Sequence, residues 1–301
     1  MFVSEPEAFA SFRGKLLFEY EQEEESELVF EIELAEDGDY VEVKKLYGVD
    51  GATINVAHVV ANRFMTEPSS GVSSLETPQS GYGLVAVKCG DESTEAQYFV
   101  AAKSPLPEVG VLATMPLDRI ISYGEADEVW IRAGEGAQVL VMVECEDEGG
   151  TTSTTFEHTV EGCGLARFRF ATEDFSCYTK IAHVEIYCDG ESLAQMRYCY
   201  VPSVWGAVRL AWIGEWGGVE HYTFPVTNSL SLLANGARHY EVESAYESSS
   251  VVEALAEIVT SERVWIVEDG EYIEVDMLSE LVLLNKRREL ATAEFKFARY
   301  D

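Results

Sequence analysis

Apolar and polar residues alternate with a period of two along most of this chain, beginning with "KLLFEYEQ" and "ELVFEIELAEDGDYVEVKKLYG". Successive side chains of an extended strand point to opposite faces, so the pattern predicts half-buried strands joined by turns, one at Asp37-Gly38. The period changes in "TINVAHVVANRFMTEP". Here Val56, Val59, Val60 and Phe64 recur at helical spacing with Pro68 just beyond, which predicts one short helix. His58 falls inside that pattern and reads as a partly buried structural histidine. "TEPSSGVSSLETPQSG" holds almost no apolar residues and predicts an exposed, flexible loop near 66–81. Two further strands, "YGLVAVKCG" and "EAQYFVAAK", close this region.

Two proline-bearing joints, "AAKSPLPEVG" and "YVPSVWG", each follow a run that reads as a terminal strand. They divide the chain into an N-terminal β domain (1–105), a middle domain (106–203) and a C-terminal β domain (204–301). The middle part carries seven short alternating runs at regular spacing, from "DRIISYG" to "LAQMRYCYV", with a hairpin turn at Asp189-Gly190. That spacing predicts an immunoglobulin-like β-sandwich in architecture, with Trp130 in its core. In the third part, "RLAWIGEWGGVEHYTF" predicts a hairpin with Val208, Leu210 and Trp212 on one face, opposite Tyr222, Phe224 and Val226. Its connection, Gly214 to Gly218, places Trp216 at an exposed tip. Ser250 with Glu253 predicts a capping box opening a short helix whose apolar face carries Val251, Leu255 and Ile258. "RVWIVEDGEYIEVDM" predicts a second hairpin around Asp269-Gly270, with Val264 opposite Val275 and Ile266 opposite Ile273. The expected fold is mainly β: three β-rich modules in series with one short helix in each outer module.

Charge changes the functional picture more than the fold. The 54 Asp and Glu against 21 Lys and Arg give a formal net charge of −33, so direct binding to nucleic acid or insertion in an anionic membrane is not expected. The first residues lack the basic and apolar regions of a secretion signal, and no apolar run is long enough to span a bilayer. Synthesis and retention in the cytoplasm are expected, unless the chain leaves inside a particle. Six cysteines show no metal-ligand spacing and are expected as free thiols, with Cys145, Cys188 and Cys199 in apolar runs. No nucleophile elbow, zinc helix, Walker loop or dinucleotide fingerprint is present. The acidic turns around Asp37 and at "ECEDEGG" complete no calcium loop, and His221 reads as a strand-surface histidine. No enzyme activity and no cofactor are expected. The candidate contact residues are Trp216, whose readings are local packing, protein docking or sugar stacking, and the basic turn Lys286, Arg287 and Arg288.

The order of features in the last hundred residues carries a resemblance. "WIGEWGGVEHYTF" (212–224), then a helix, then "SERVWIVEDGEYIEVDM" and a closing "ATAEFKFARY" are similar to tail-region virion proteins encoded by phages and prophages of Bacteroidota. "LDRIISYGEADEVWIRA", "GLARFRFATEDF" and "TINVAHVVANRF" extend the likeness over nearly the whole chain. Such proteins commonly have Asn where this chain has Gly214. The resemblance implies a structural protein of the tail, tail tip or baseplate, assembling with other virion proteins and with copies of itself in a ring. The alternative that the residues leave open is a carbohydrate-binding or adhesin-like β protein using exposed aromatics.

Overall fold

A computed structural model describes residues 1–34, 39–203, 206–232, 236–279, 283–287 and 290–300. The fold is mainly β, with several sheets and two short helices. Its residues pack into two compact units, Met1–Glu67 with Pro78–Pro107, and Pro68–Thr77 with Glu108–Asp301.

The first unit contains β1 (Phe2–Ser4), β2 (Leu17–Leu34), β3 (Asp39–Asn55) and α1 (Ala57–Phe64). After β4 (Ser74–Glu76), which belongs to the other unit, come β5 (Tyr82–Cys89), β6 (Glu92–Ser93) and β7 (Gln97–Val100). They form a six-stranded sheet of order β1-β2-β5-β6, with β3 added on β2 and β7 on β5. The strands bury Phe18, Phe30, Ile32, Val85, Val87 and Phe99 together with Val56, Val59 and Val60 from the helical pattern. The helix starts where Asn55 Oδ1 accepts the backbone N–H groups of Leu16 (3.0 Å) and Ala57 (3.1 Å), tying the strand end to the first turn. His58 lies on the exposed side of α1. Gly83 admits Phe64 against β5, since a Cβ there would come within 2.1 Å of the ring. The Asp37-Gly38 turn lies outside the described residues.

In the second unit, all seven strands expected of the sandwich are present. They are β9 (Asp118–Ser122), β10 (Ala126–Arg132), β11 (Gln138–Asp147), β12 (Gly150–Thr159), β13 (Leu165–Ala171), β14 (Ile181–Cys188) and β15 (Glu191–Val201), preceded by β8 (Gly110–Leu112). One sheet has the order β4-β13-β10-β8 and the other β12-β11-β14-β15-β9, the last pair parallel. Between them pack Val129, Ile131, Phe168 and Phe170 from the first sheet and Val141, Val143, Val184, Ile186 and Tyr198 from the second. Tyr198 stacks on Phe170 with ring centroids 4.4 Å apart.

The segment expected as a free loop is therefore only partly one. Ser74, Leu75 and Glu76 pair with Arg169, Phe168 and Arg167 of β13, and Arg167 binds Glu76 (2.5 Å). Period-two patterning carries no signal in a three-residue strand, which is why composition alone suggested a loop.

The rest of the second unit is one mixed-length sheet of β16 (Val208–Ile213), β17 (Val219–Phe224), β18 (Val226–Leu232), β19 (Ala237–Glu243), β20 (Val264–Glu268), β21 (Glu271–Met277), β22 (Leu283–Arg287) and β23 (Leu290–Tyr300). The predicted pairings of the second hairpin hold, Val264 facing Val275 and Ile266 facing Ile273; in the first, Val208 faces Phe224 and Leu210 faces Tyr222, while Val226, expected on the same strand, lies beyond Pro225 in β18. Asp189-Gly190 and Asp269-Gly270 both take positive φ at each residue, as two-residue hairpin turns of this type require. Helix α2 (Ser249–Ala256) continues as a 3-10 turn to Thr260 and covers the sheet with Val252, Leu255 and Ile258. Its N-cap is Ser248, not Ser250, and no capping box forms. The two hydroxyls bond each other instead (2.9 Å).

Candidate functional site

The outer face of the β10–β13 pair is the unusual surface of the second unit. Alternation places Val129 and Ile131 of β10, and Phe168 and Phe170 of β13, toward the sandwich core. Glu128, Trp130, Arg167 and Arg169 then point the other way, where solvent would be expected. All four are buried, and Trp130, expected in the sandwich core, is on this outer face instead. Residues 68–77 and the β16–β21 region cover them. Ser69 binds Glu128 through its hydroxyl, and Arg169 donates to the carbonyls of Ser69 (2.7 Å) and Gly71 (3.0 Å).

Beside this layer lies a cluster of charged groups with almost no solvent. Arg119 of β9 donates from one nitrogen to Asp127 of β10 (2.8 Å) and from another to Glu220 of β17 (2.9 Å). Its remaining donors reach the carbonyls of Pro116 (3.0 Å) and Met115 (3.4 Å). Glu220 accepts the backbone N–H of Thr114 (2.6 Å) and of Met115 (3.3 Å). Next to it, Nδ1 of His221 lies 3.1 Å from Asp127, and its Nε2 is 2.9 Å from the Tyr272 hydroxyl on β21. Arg209 of β16 completes the layer, donating to Thr223 (2.8 Å) and the Ala126 carbonyl (2.6 Å) and lying 3.4 Å from Glu125.

Burial alone would raise Asp127, but the Arg119 guanidinium and His221 hold its carboxyl well below the usual carboxylate range. Burial lifts Glu220 to about 7, Arg119 pulling against the shift and Asp127 adding to it. His221 is lowered to about 4, again by burial first, with Asp127 opposing. The imidazole is therefore neutral at pH 7, and Tyr272, raised by burial and by Glu128, keeps its proton. Asp127 and Tyr272 flank the imidazole, Tyr272 within hydrogen-bond distance of Nε2 and Asp127 beside Nδ1 without hydrogen-bond geometry. The three groups contain no thiolate, phenolate or deprotonated hydroxyl to act as a nucleophile.

Two cavities flank Arg209, of about 650 Å³ and about 560 Å³, and share Ser122, Glu125, Arg209 and Thr223 in their walls. The first adds Arg169, Glu173 and Tyr272, and the second Ile120, Val201, Pro225 and Val251. Among the described residues, no three His, Cys, Asp or Glu gather as a metal site. The six cysteines are free thiols, with only Cys177 fully exposed.

The residues expected to make contacts do not come together with this cluster. Trp216 is half-buried rather than exposed at a tip, because the Gly214–Gly218 connection is folded against the sandwich. A Cβ on Gly218 would stand 3.0 Å from the Trp130 ring. His221, expected on a strand surface, is among the most enclosed side chains of the second unit. Lys286 and Arg287 are in β22, paired with Ala291 and Leu290, while Arg288 lies outside the described residues. The buried cluster itself was not foreseen. Its one signal is "DEVWIR" with "RFRF", where charges alternate with large apolar residues, and the same pattern describes any strand with a wet face.

No protein-family model matches the chain. No curated protein matches it either. Among solved structures, the chicken interferon gamma receptor alpha chain is similar at 9 % identity over 67 % of this chain and 98 % of that one, with a TM-score of 0.20, too slight a likeness to bear on fold or function.

Proposed function

We propose that the chain is a structural component of a phage or phage-derived particle, in the tail or tail tip, working through protein–protein assembly and without turnover of its own. The reading starts from the resemblance of 212–224, 261–277 and 291–300 to tail-region proteins. The observation that supports it best is how the titratable groups are used. Arg119, Asp127, Glu220 and His221 bind one another and the backbone, and in doing so they lock β9 and β10 of the sandwich to β17 and β21. Ion pairs so enclosed add little net stability but impose one geometry, which suits a subunit that must present fixed surfaces to neighbours. The net charge of −33 favours partners with basic surfaces and disfavours direct nucleic-acid contact. The run Lys286, Arg287 and Arg288 remains the candidate for a contact with an acidic neighbour. The adhesin-like alternative loses its platform with Trp216 half-buried.

The test is mass spectrometry and antibody labelling of particles purified from the source. The chain is expected at a fixed ratio to other tail proteins and localised at one end. Its absence from purified particles would overturn the reading, as would a polysaccharide hydrolase activity abolished by one carboxylate substitution.

A further inference from the structure

Among the described residues, the strand β12 ends one sheet of the sandwich, paired to β11 on one side only. Which of its backbone groups face outward follows from the hydrogen bonds of β11. The carbonyls of Gln138 and Glu146 accept from Asp189 and Lys180 on the β14 side, so the even-numbered residues of β11 bond toward β14. Its odd-numbered residues, from Val139 to Cys145, bond toward β12, where they pair with His158, Phe156, Thr154 and Thr152. The N–H and C=O groups of Thr151, Ser153 and Thr155 therefore point away from the sheet.

Four observations make this edge unlike the rest of the surface. Every residue from Gly150 to Thr155 is exposed, on both faces of the strand. The opposite sheet reaches the strand only beyond Thr155, where Phe156 packs on Phe168 and Thr77 beside β4 meets His158 (3.0 Å). The register with β11 runs without a bulge, and the stretch has no proline and no lysine, the usual guards of a free edge. Finally, Gly149–Phe156, "GGTTSTTF", carries no charge in a chain of net −33. Copies of such a polyanion repel one another, so a contact between them is least costly where acids are missing.

We propose that β12 pairs antiparallel with β12 of a second copy, joining two sandwiches through one continuous sheet. A two-fold axis through Ser153 sets Ser153 against its equivalent and Thr151 against Thr155. It also places Glu157 opposite Gly149, so no carboxylate faces another across the new ladder. The pairing uses main-chain groups already held extended by β11, and threonine opposite threonine suits a solvated strand pair. The inference does not rest on the virion reading. An edge-paired dimer forms from the isolated chain whatever particle or surface the protein serves.

Sedimentation equilibrium of the intact protein tests it. The wild type is expected to form dimers at about 100 µM, more tightly in about 0.3 M salt than at low salt, because screening reduces the residual repulsion. Ser153→Pro removes an outward N–H and leaves every β11 bond in place, so the variant should keep its circular dichroism and melting temperature. Its dimer should weaken by roughly tenfold or more. Ser153→Glu in a Glu144→Gln background, which brings two carboxylates together at the axis without setting one against Glu144 of β11, should do the same and serves if the proline variant is unstable. A wild type that stays monomeric under these conditions, or a dimer that survives the folded variants, overturns the proposal.

Discussion

Arg119 is the residue on which the buried cluster depends, since it alone neutralises both Asp127 and Glu220. Arg119→Met should cost about 3–5 kcal/mol in urea unfolding, because two carboxylates lose their counter-charge without regaining water. Adding Asp127→Asn and Glu220→Gln should recover much of that loss, and a single variant as stable as wild type would count against the clamp. The same cluster sets a pH dependence. Glu220, lifted from 4.5 to about 7, favours the folded state below pH 4.5 and loses that contribution as pH rises toward 7. His221, lowered from 6.5 to about 4, contributes fully above pH 6.5 and loses it as pH falls toward 4. The two slopes oppose each other between about pH 4.5 and 6.5, and Asp127, held low, adds nothing there. Glu128, also raised by burial, adds to the slope of Glu220, so wild-type stability should not fall on acidification across that window. Relative to wild type, Glu220→Gln, whose single carbonyl oxygen can take the Thr114 N–H but sets its amide against Arg119, should lose stability on acidification, and a profile parallel to wild type would refute the compensation. None of this was legible in the sequence, where the strand of Asp127 and Glu128 reads as one alternating run among seven with Trp130 as its core residue. Whether a strand's second face is wet depends on what covers it, and the cover comes from residues about a hundred positions away.

At the level of elements, the first unit depends on one close approach. Phe64 ends α1 on top of Gly83 in β5, where a methyl group would penetrate the ring. Gly83→Ala should therefore destabilise by about 1–3 kcal/mol, the usual cost of overpacking. The penalty should shrink in a Phe64→Ala background, as a double-mutant cycle would reveal. Equal penalties in both backgrounds would mean that the strand, not the ring, resists the side chain. Elements of this size were the readable part of the chain. Both helices, the seven sandwich strands and the register of the hairpin at Asp269-Gly270 follow from period, turn chemistry and β-branched content, because each is specified within a dozen residues. The misplaced features are those decided by tertiary contact. Ser248 caps α2 in place of Ser250, and Trp216 sits against the sandwich rather than in water, although its flanking glycines were read correctly as a turn.

For the whole molecule, the strap of residues 68–77 matters most. It supplies the edge strand of one sandwich sheet and, through Ser69 and Glu76, partners for the otherwise buried charges Glu128, Arg169 and Arg167. A fragment of residues 108–301 should consequently be less stable than the intact second unit and prone to self-association along β13, whose unpaired edge it would present. A synthetic peptide of residues 68–77 should raise its melting temperature and suppress the association. A fragment as stable as the intact chain and indifferent to the peptide would show that the strap is dispensable. The strap also has a history during synthesis. Ser73 bonds to Ala171, 98 residues later in the chain. At ~5–20 residues per second on the ribosome, that separation leaves the strap without its partner for roughly 5–20 seconds. An apolar edge strand waiting so long would find the wrong neighbour, on its own chain or the next ribosome's. A segment of serine, proline, glycine and threonine can wait in water, so the composition that hid the strand from view is also what lets it arrive early.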